Sequence, residues 1–131
     1  MRDDIETIHA ATDLLAEAKL SPELRNEALY YRAKAYTKQK ADKKAMEDYR
    51  ELAKDTRNPY GAEAKYQVAQ SLYDAKEYAA AEKELLNYIE QSTPHAYWLA
   101  RSFVLLSDVY HATGKDLDAR QYLLSLQQNY Q

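Results

Sequence analysis

The sequence predicts an all-α protein: an α-α superhelical solenoid of antiparallel helix pairs, with about seven helices. Three observations carry that expectation. The first is where the breakers stand. The chain of 131 residues holds only three prolines and two glycines, and each proline follows a residue that caps helices, in "LSPELRNEA", "TRNPYGAEA" and "QSTPHAYWL". Proline suits the first helical position because its missing N–H would be an orphan there. Ser21, Asn58 and Thr93 each offer a side-chain oxygen to the free N–H groups that follow. The second observation is spacing: Pro22, Pro59 and Pro94 stand 37 and then 35 residues apart. The third is periodicity, since no segment sustains the two-residue alternation of a half-buried strand.

Breakers and apolar spacing together predict helices over 3–19, 22–39, 42–55, 59–75, 78–91, 94–112 and 116–130. The first is a leading helix within 1–21, the second half of an incomplete unit. Its inward stripe is Ile5, Ile8, Thr12 and Leu15, flanked by Leu14. Three full units follow over 22–58, 59–93 and 94–131, all within a single domain. The joints are short, which forces neighbouring helices antiparallel. In each unit the first helix carries a small residue three positions before a large one: Ala33 and Tyr36, Ala69 and Leu72, Ser107 and Tyr110. Each second helix opens on an alanine (Ala45, Ala81, Ala119) and places a bulky residue four positions later (Tyr49, Leu85, Leu123). Small residues let the helices of a unit approach; large ones fill the space between units. A lone helix pair cannot bury its apolar stripe, so the units stack, here into a right-handed solenoid.

Composition narrows the function. Hydrophobic residues make up 46% and charged residues 30%, the profile of an ordered chain. A net charge of −3 supplies no global attraction to nucleic acid or anionic lipid. The basic run "KQKADKK" (Lys38, Lys40, Lys43, Lys44) belongs to one unit alone, whereas a repeat protein reading RNA would place base-reading side chains in every unit. It reads as a solvated cluster at a helix end. There is no cysteine, no apolar stretch long enough to span a bilayer, and no signal-peptide apolar core in "MRDDIETIHA". Gly-rich phosphate loops, nucleophile elbows and HExxH are absent. Asp108 and His111 share a helical face, yet no third metal ligand joins them. The expectation is a non-enzyme without cofactor or metal.

The pattern of the units resembles the tetratricopeptide repeat family. In the second unit Val68, Ala69, Leu72, Tyr78, Ala81, Leu85 and the closing Pro94 match its skeleton. Ala33, Tyr36, Ala45, Tyr49, Leu52 and Pro59 match in the first, and Leu106, Ser107, Tyr110, Gly114, Ala119, Leu123 and Leu126 in the third. The likeness covers about residues 26–131. It departs in period, with matched positions 36 and 38 residues apart, and Lys40 and Lys76 stand where the family has a turn glycine. "NPYGAEAKYQVAQSLYDAKEYAAAEKEL" is similar to repeats of bacterial envelope proteins, which implies a periplasmic or cell-envelope setting within a longer chain. The terminal helices lack polar caps, which points the same way or to self-association through those helices.

The resemblance implies a protein-interaction scaffold that holds a partner segment, a protein or peptide, in a concave groove. The groove positions it implies are Glu27, Tyr30, Lys34, Thr37 and Lys38 on one helix. Glu63, Tyr66, Gln70, Tyr73 and Asp74 follow on the next, then Arg101, Val104, Asp108 and His111. Partner-binding residues among these are Tyr30, Lys34, Tyr66, Gln70, Tyr73, Arg101, Asp108 and His111. The tyrosines would supply apolar contact, while Lys34 and Arg101 would orient charges. The family's clamp for acidic chaperone tails is not expected, because its Asn pair and a second basic residue in the third unit are missing. A structural spacer of a larger envelope protein, with no groove ligand, is the alternative.

Overall fold

Helix starts follow the proline rule at two of its three sites. A computed structural model describes residues 2–91 and 94–115, together with Arg120, Gln121, Leu124 and Gln128. Helix α1 spans Arg2–Leu15, α2 Pro22–Lys38, α3 Asp42–Leu52, α4 Pro59–Asp74, α5 Tyr78–Glu90 and α6 Ala96–Ala112. There is no strand among the described residues. Ser21 and Asn58 adopt extended backbone and cap α2 and α4, accepting from the N–H groups of Leu24 and Tyr60 at 3.3 and 2.8 Å. Pro94 departs from the rule. The helix begins two residues later, with His95 as its N-cap and no side-chain cap bond. His95 instead turns its ring to the Arg57 carbonyl, 2.6 Å away, tying the third unit to the joint between the first two. Thr93, Ala119, Leu123 and Leu126 fall outside the described residues, and of the expected helix over 116–130 Arg120, Gln121, Leu124 and Gln128 are described, all four helical.

Two helices end earlier than the spacing predicts. After Leu15 the chain tightens into i→i+3 bonds from Ala16 to Asp13 and from Glu17 to Leu14, which stop α1 short of residue 19. Helix α3 stops at Leu52 rather than 55 for a packing reason. Gly61, in the first turn of α4, lies so close that an added Cβ would sit 1.8 Å from the Asp55 carbonyl oxygen. Only glycine permits backbones to meet at that distance.

The three loops that close each first helix share one geometry. Lys40, Lys76 and Gly114 have φ of 58°, 63° and 78°, all left-handed. In each loop the N–H of the next residue returns to a carbonyl five positions back: Ala41 to Tyr36, Glu77 to Leu72, Lys115 to Tyr110. That is the Schellman closure, which satisfies carbonyls the helix end would leave open. The lysines at the turn-glycine positions therefore keep the glycine conformation, at a cost of about 1 kcal/mol each.

Consecutive helices pack against one another, as expected of a helical solenoid. The backbone of α2 also nears that of α4, and α4 nears α6, whereas the backbones of α1, α3 and α5 stay farther apart, with the Arg50–Glu84 ion pair reaching from α3 to α5 at 4.0 Å. The array thus curves toward the side formed by α2, α4 and α6. The small–large pattern supplies the core: Ala33, Ala69 and Ala81 have no exposed surface, and Leu72, Tyr49, Leu85 and Tyr110 are buried around them. Burying one such leucine contributes about 1.5–3 kcal/mol. A surface pair such as Lys54–Glu51 contributes at most about 1 kcal/mol, so the apolar seam decides the fold. On α1, Ala11 is the buried residue and Ile5 is 48% exposed, a shift from the expected stripe.

An ion pair bridges that seam, with Asp48 buried and Arg32 partly so. Arg32 on α2 donates twice to the Asp48 carboxylate on α3, at 2.8 and 2.6 Å, and once to Thr12 on α1 at 3.2 Å. The hydrogen bonds to Asp48 hold the guanidinium above its ordinary pKa although burial works against them. The fork fixes three helices in one register.

Two substitutions test this packing by chemical unfolding. Gly61→Ala forces the α3–α4 backbones apart and is expected to lower stability by roughly 3 kcal/mol or more. Lys76→Gly relieves left-handed strain and is expected to raise it by about 0.5–1 kcal/mol.

Candidate binding groove

Two junctions between first helices bring together most of the expected groove residues, with different electrostatics at each. At the α2–α4 junction, Glu63 takes both partners. The Tyr30 hydroxyl donates to its Oε1 at 3.0 Å, and the Lys34 ammonium lies 3.1 Å from Oε2. Lys34 also sits over the Tyr30 ring, 5.0 Å from its centre. Burial pulls the Lys34 ammonium down, but the bonds to Tyr30 and Glu63 outweigh it and leave its pKa above the usual range. Burial raises the Tyr30 phenol. The Tyr30 ring packs on Tyr60 at 4.6 Å and edge-on to Tyr31 at 5.3 Å. Lys34 is thus already neutralised inside the molecule.

The α4–α6 junction opens into a cleft of about 400 Å³ lined by Tyr66, Gln70, Tyr97, Arg101, Val104 and Asp108, with Ala100 and Leu105 at its floor. Arg101 dominates it. Its guanidinium donates to the Tyr97 and Tyr66 hydroxyls at 3.1 and 3.3 Å. It lies 4.8, 5.7 and 5.8 Å from the ring centres of Tyr66, Trp98 and Tyr97. The phenol hydrogen bonds raise its pKa. No carboxylate among the described residues pairs with it. Rings orient the charge without neutralising it.

Behind Arg101 a relay runs down α4. The Tyr66 hydroxyl donates a hydrogen bond to Gln70 Oε1 at 3.0 Å, and Gln70 Nε2 donates to Asp74 Oδ1 at 2.9 Å. The i, i+4 spacing of a helix stacks these three side chains on one face. Tyr66 is itself core, with 6% exposure, so only its hydroxyl end takes part in the cleft.

The remaining expected residues lie elsewhere. Tyr73 packs edge-on against Tyr78 of α5 at 5.6 Å and does not line the cleft. His111 is exposed in the last turn of α6, below the cleft. Among the described residues no group of three His, Asp or Glu gathers to hold a metal. No helix among them is long and apolar enough to cross a membrane.

Sequence reasoning passed over Tyr97, which is 62% exposed at the cleft mouth. The signal was its i−4 relation to Arg101. In the other two units the matching positions are Glu23 and Pro59, so no repeated aromatic marked the place. Val104, by contrast, stood among the expected groove positions and is 47% exposed there.

No family model, curated protein or solved structure matches this chain.

Proposed function

We propose that the chain is a tetratricopeptide-like interaction scaffold whose groove holds a segment of a partner protein, anchored at the α4–α6 cleft. The observation that carries this reading is the Arg101 guanidinium: held by two phenols and three ring faces, in a concave site, with no carboxylate of its own among the described residues. A charge positioned but left without a counter-ion is pre-organised for one that arrives with a ligand. Exposed Tyr97 and Val104 beside it provide the apolar and aromatic contact that dominates interface energetics. The partner side chain that fits is a carboxylate flanked by an apolar group. Lys34 contributes less than its charge suggests, because Glu63 occupies it.

A second reading, a spacer within a longer envelope protein, draws on a different surface. Ile5 and Leu24 are 48% and 45% exposed near the leading helix. On that reading the ends make the contacts and the groove tolerates substitution.

Affinity capture from the native cell extract separates the two, comparing wild type with Tyr97→Ala/Arg101→Gln. Both side chains are exposed, so the melting transition is expected to stay within about 1 kcal/mol of wild type. Tyr66→Ala serves as a contrast and is expected to cost about 3–5 kcal/mol of stability, since its ring is core. A partner lost only from the cleft variant supports the groove. An unchanged set of partners favours the spacer.

A further inference from the structure

The cleft at Arg101 does not end at Gln70. Gln70 also lines a second cleft, of about 740 Å³, on the other side of α4. This one lies between α4 and the α2–α3 turn, and its character is opposite. Asp42, Asp74 and Glu77 stand around it with Lys43 as the one cation among its lining residues, over a floor that includes Met46 and Leu72. None of the three carboxylates has an ion-pair partner among the described residues. Asp74 is reached by the same relay that begins at Arg101, through Tyr66 and Gln70. The two clefts meet at Gln70, with a cation that has no ion pair at one end and carboxylates that have none at the other, among the described residues.

We propose that the two clefts form one path, which recognises an extended peptide bearing one acidic and one basic side chain at a set separation, the acid at Arg101 and the base at Asp74. This deepens the groove reading above and rests on it. The separation follows from helix geometry. Tyr66, beside Arg101, and Asp74 are eight residues apart on α4, which is about 12 Å along the axis at roughly 1.5 Å per residue. An extended chain covers that distance in about four residues at roughly 3.3 Å each. Charges placed next to one another in a peptide cannot reach both ends. Two like charges meet repulsion at one of them, which is how such a path rejects wrong partners. A helical peptide is also a poor fit, since at four residues' separation its charges lie only about 6 Å apart.

The test uses fluorescence anisotropy with three labelled synthetic peptides of one length and matched apolar content. The first carries aspartate and lysine about four residues apart. The second has the two charges adjacent, and the third has asparagine and glutamine in their place. The full chain is titrated at low salt, where charge effects are least screened. The expected result is binding of the spaced peptide roughly tenfold tighter than either control. Arg101→Gln should remove the advantage of the aspartate, and Asp74→Asn that of the lysine; both residues are exposed, and circular dichroism checks their fold. Equal binding of all three peptides overturns the charge-spacing rule while leaving the groove as a binding surface. Binding of the spaced peptide that neither variant weakens overturns the assigned path. Binding of none overturns this proposal together with the reading on which it rests.

Discussion

Ala33, Ala62, Ala64, Ala69 and Ala81 have no exposed surface, and the rest of the molecule depends on what that allows. Helices packed at such residues approach to the short end of the usual 8–10 Å range. At that distance their backbones fix the register of everything else: the bulky residues one turn away must fill the space between units. Gly61 is the extreme case, where the α3–α4 approach leaves no room even for a methyl group. The left-handed turns at Lys40, Lys76 and Gly114 close the three first helices in the same way, so the joint repeats along the chain. Because the backbones of α2, α4 and α6 approach in turn while those of α3 and α5 stay farther apart, repetition becomes curvature, and curvature makes a groove.

The chemistry of the groove follows from one difference between units. At matched positions the second unit presents Glu63 and the third presents Arg101. Glu63 faces α2 and is consumed by Tyr30 and Lys34, closing that junction with an internal ion pair. Arg101 faces α4, where the matched positions offer a tyrosine and a glutamine instead of a carboxylate. Its charge is supported but not cancelled, and the junction stays open. A salt bridge with Lys34 as exposed as it is contributes at most about 1 kcal/mol, so the value of Glu63 lies in shutting a site rather than in stabilising the fold. The Tyr66, Tyr97 and Trp98 rings fix where the Arg101 charge stands while leaving it open to solvent.

Much of the fold was legible because short-range rules agreed with long-range ones. Pro22 and Pro59 had both a cap before them and an amphipathic run after them, and both start helices. Pro94 had the cap residue and the run, yet the helix starts at Ala96, because His95 binds the Arg57 carbonyl across the joint, a contact local spacing cannot announce. The same limit applied to the groove. Helical spacing brought Tyr66, Gln70, Arg101, Val104 and Asp108 to one cleft, since i, i+3 and i+4 relations are local. It could not tell that the Tyr66 ring is sealed by Trp98 at 5.6 Å, or that Tyr73 leans on Tyr78. Both depend on how deeply neighbouring helices interlock. Lys34 misled for a related reason: its neutralising partner lies 29 positions further along the chain.

The central claim is that the cleft and the alanine seam are one structure, so that the site exists only while the array is assembled. Trp98, the single tryptophan, packs against Tyr66 beside Arg101 and is a native reporter of the cleft. The deciding measurement is urea unfolding followed in one sample by Trp98 emission and by far-ultraviolet circular dichroism. The account predicts coincident transitions, as for a single cooperative unit. A Trp98 transition complete while most helicity remains would mean that the α4–α6 junction opens on its own, and would contradict it.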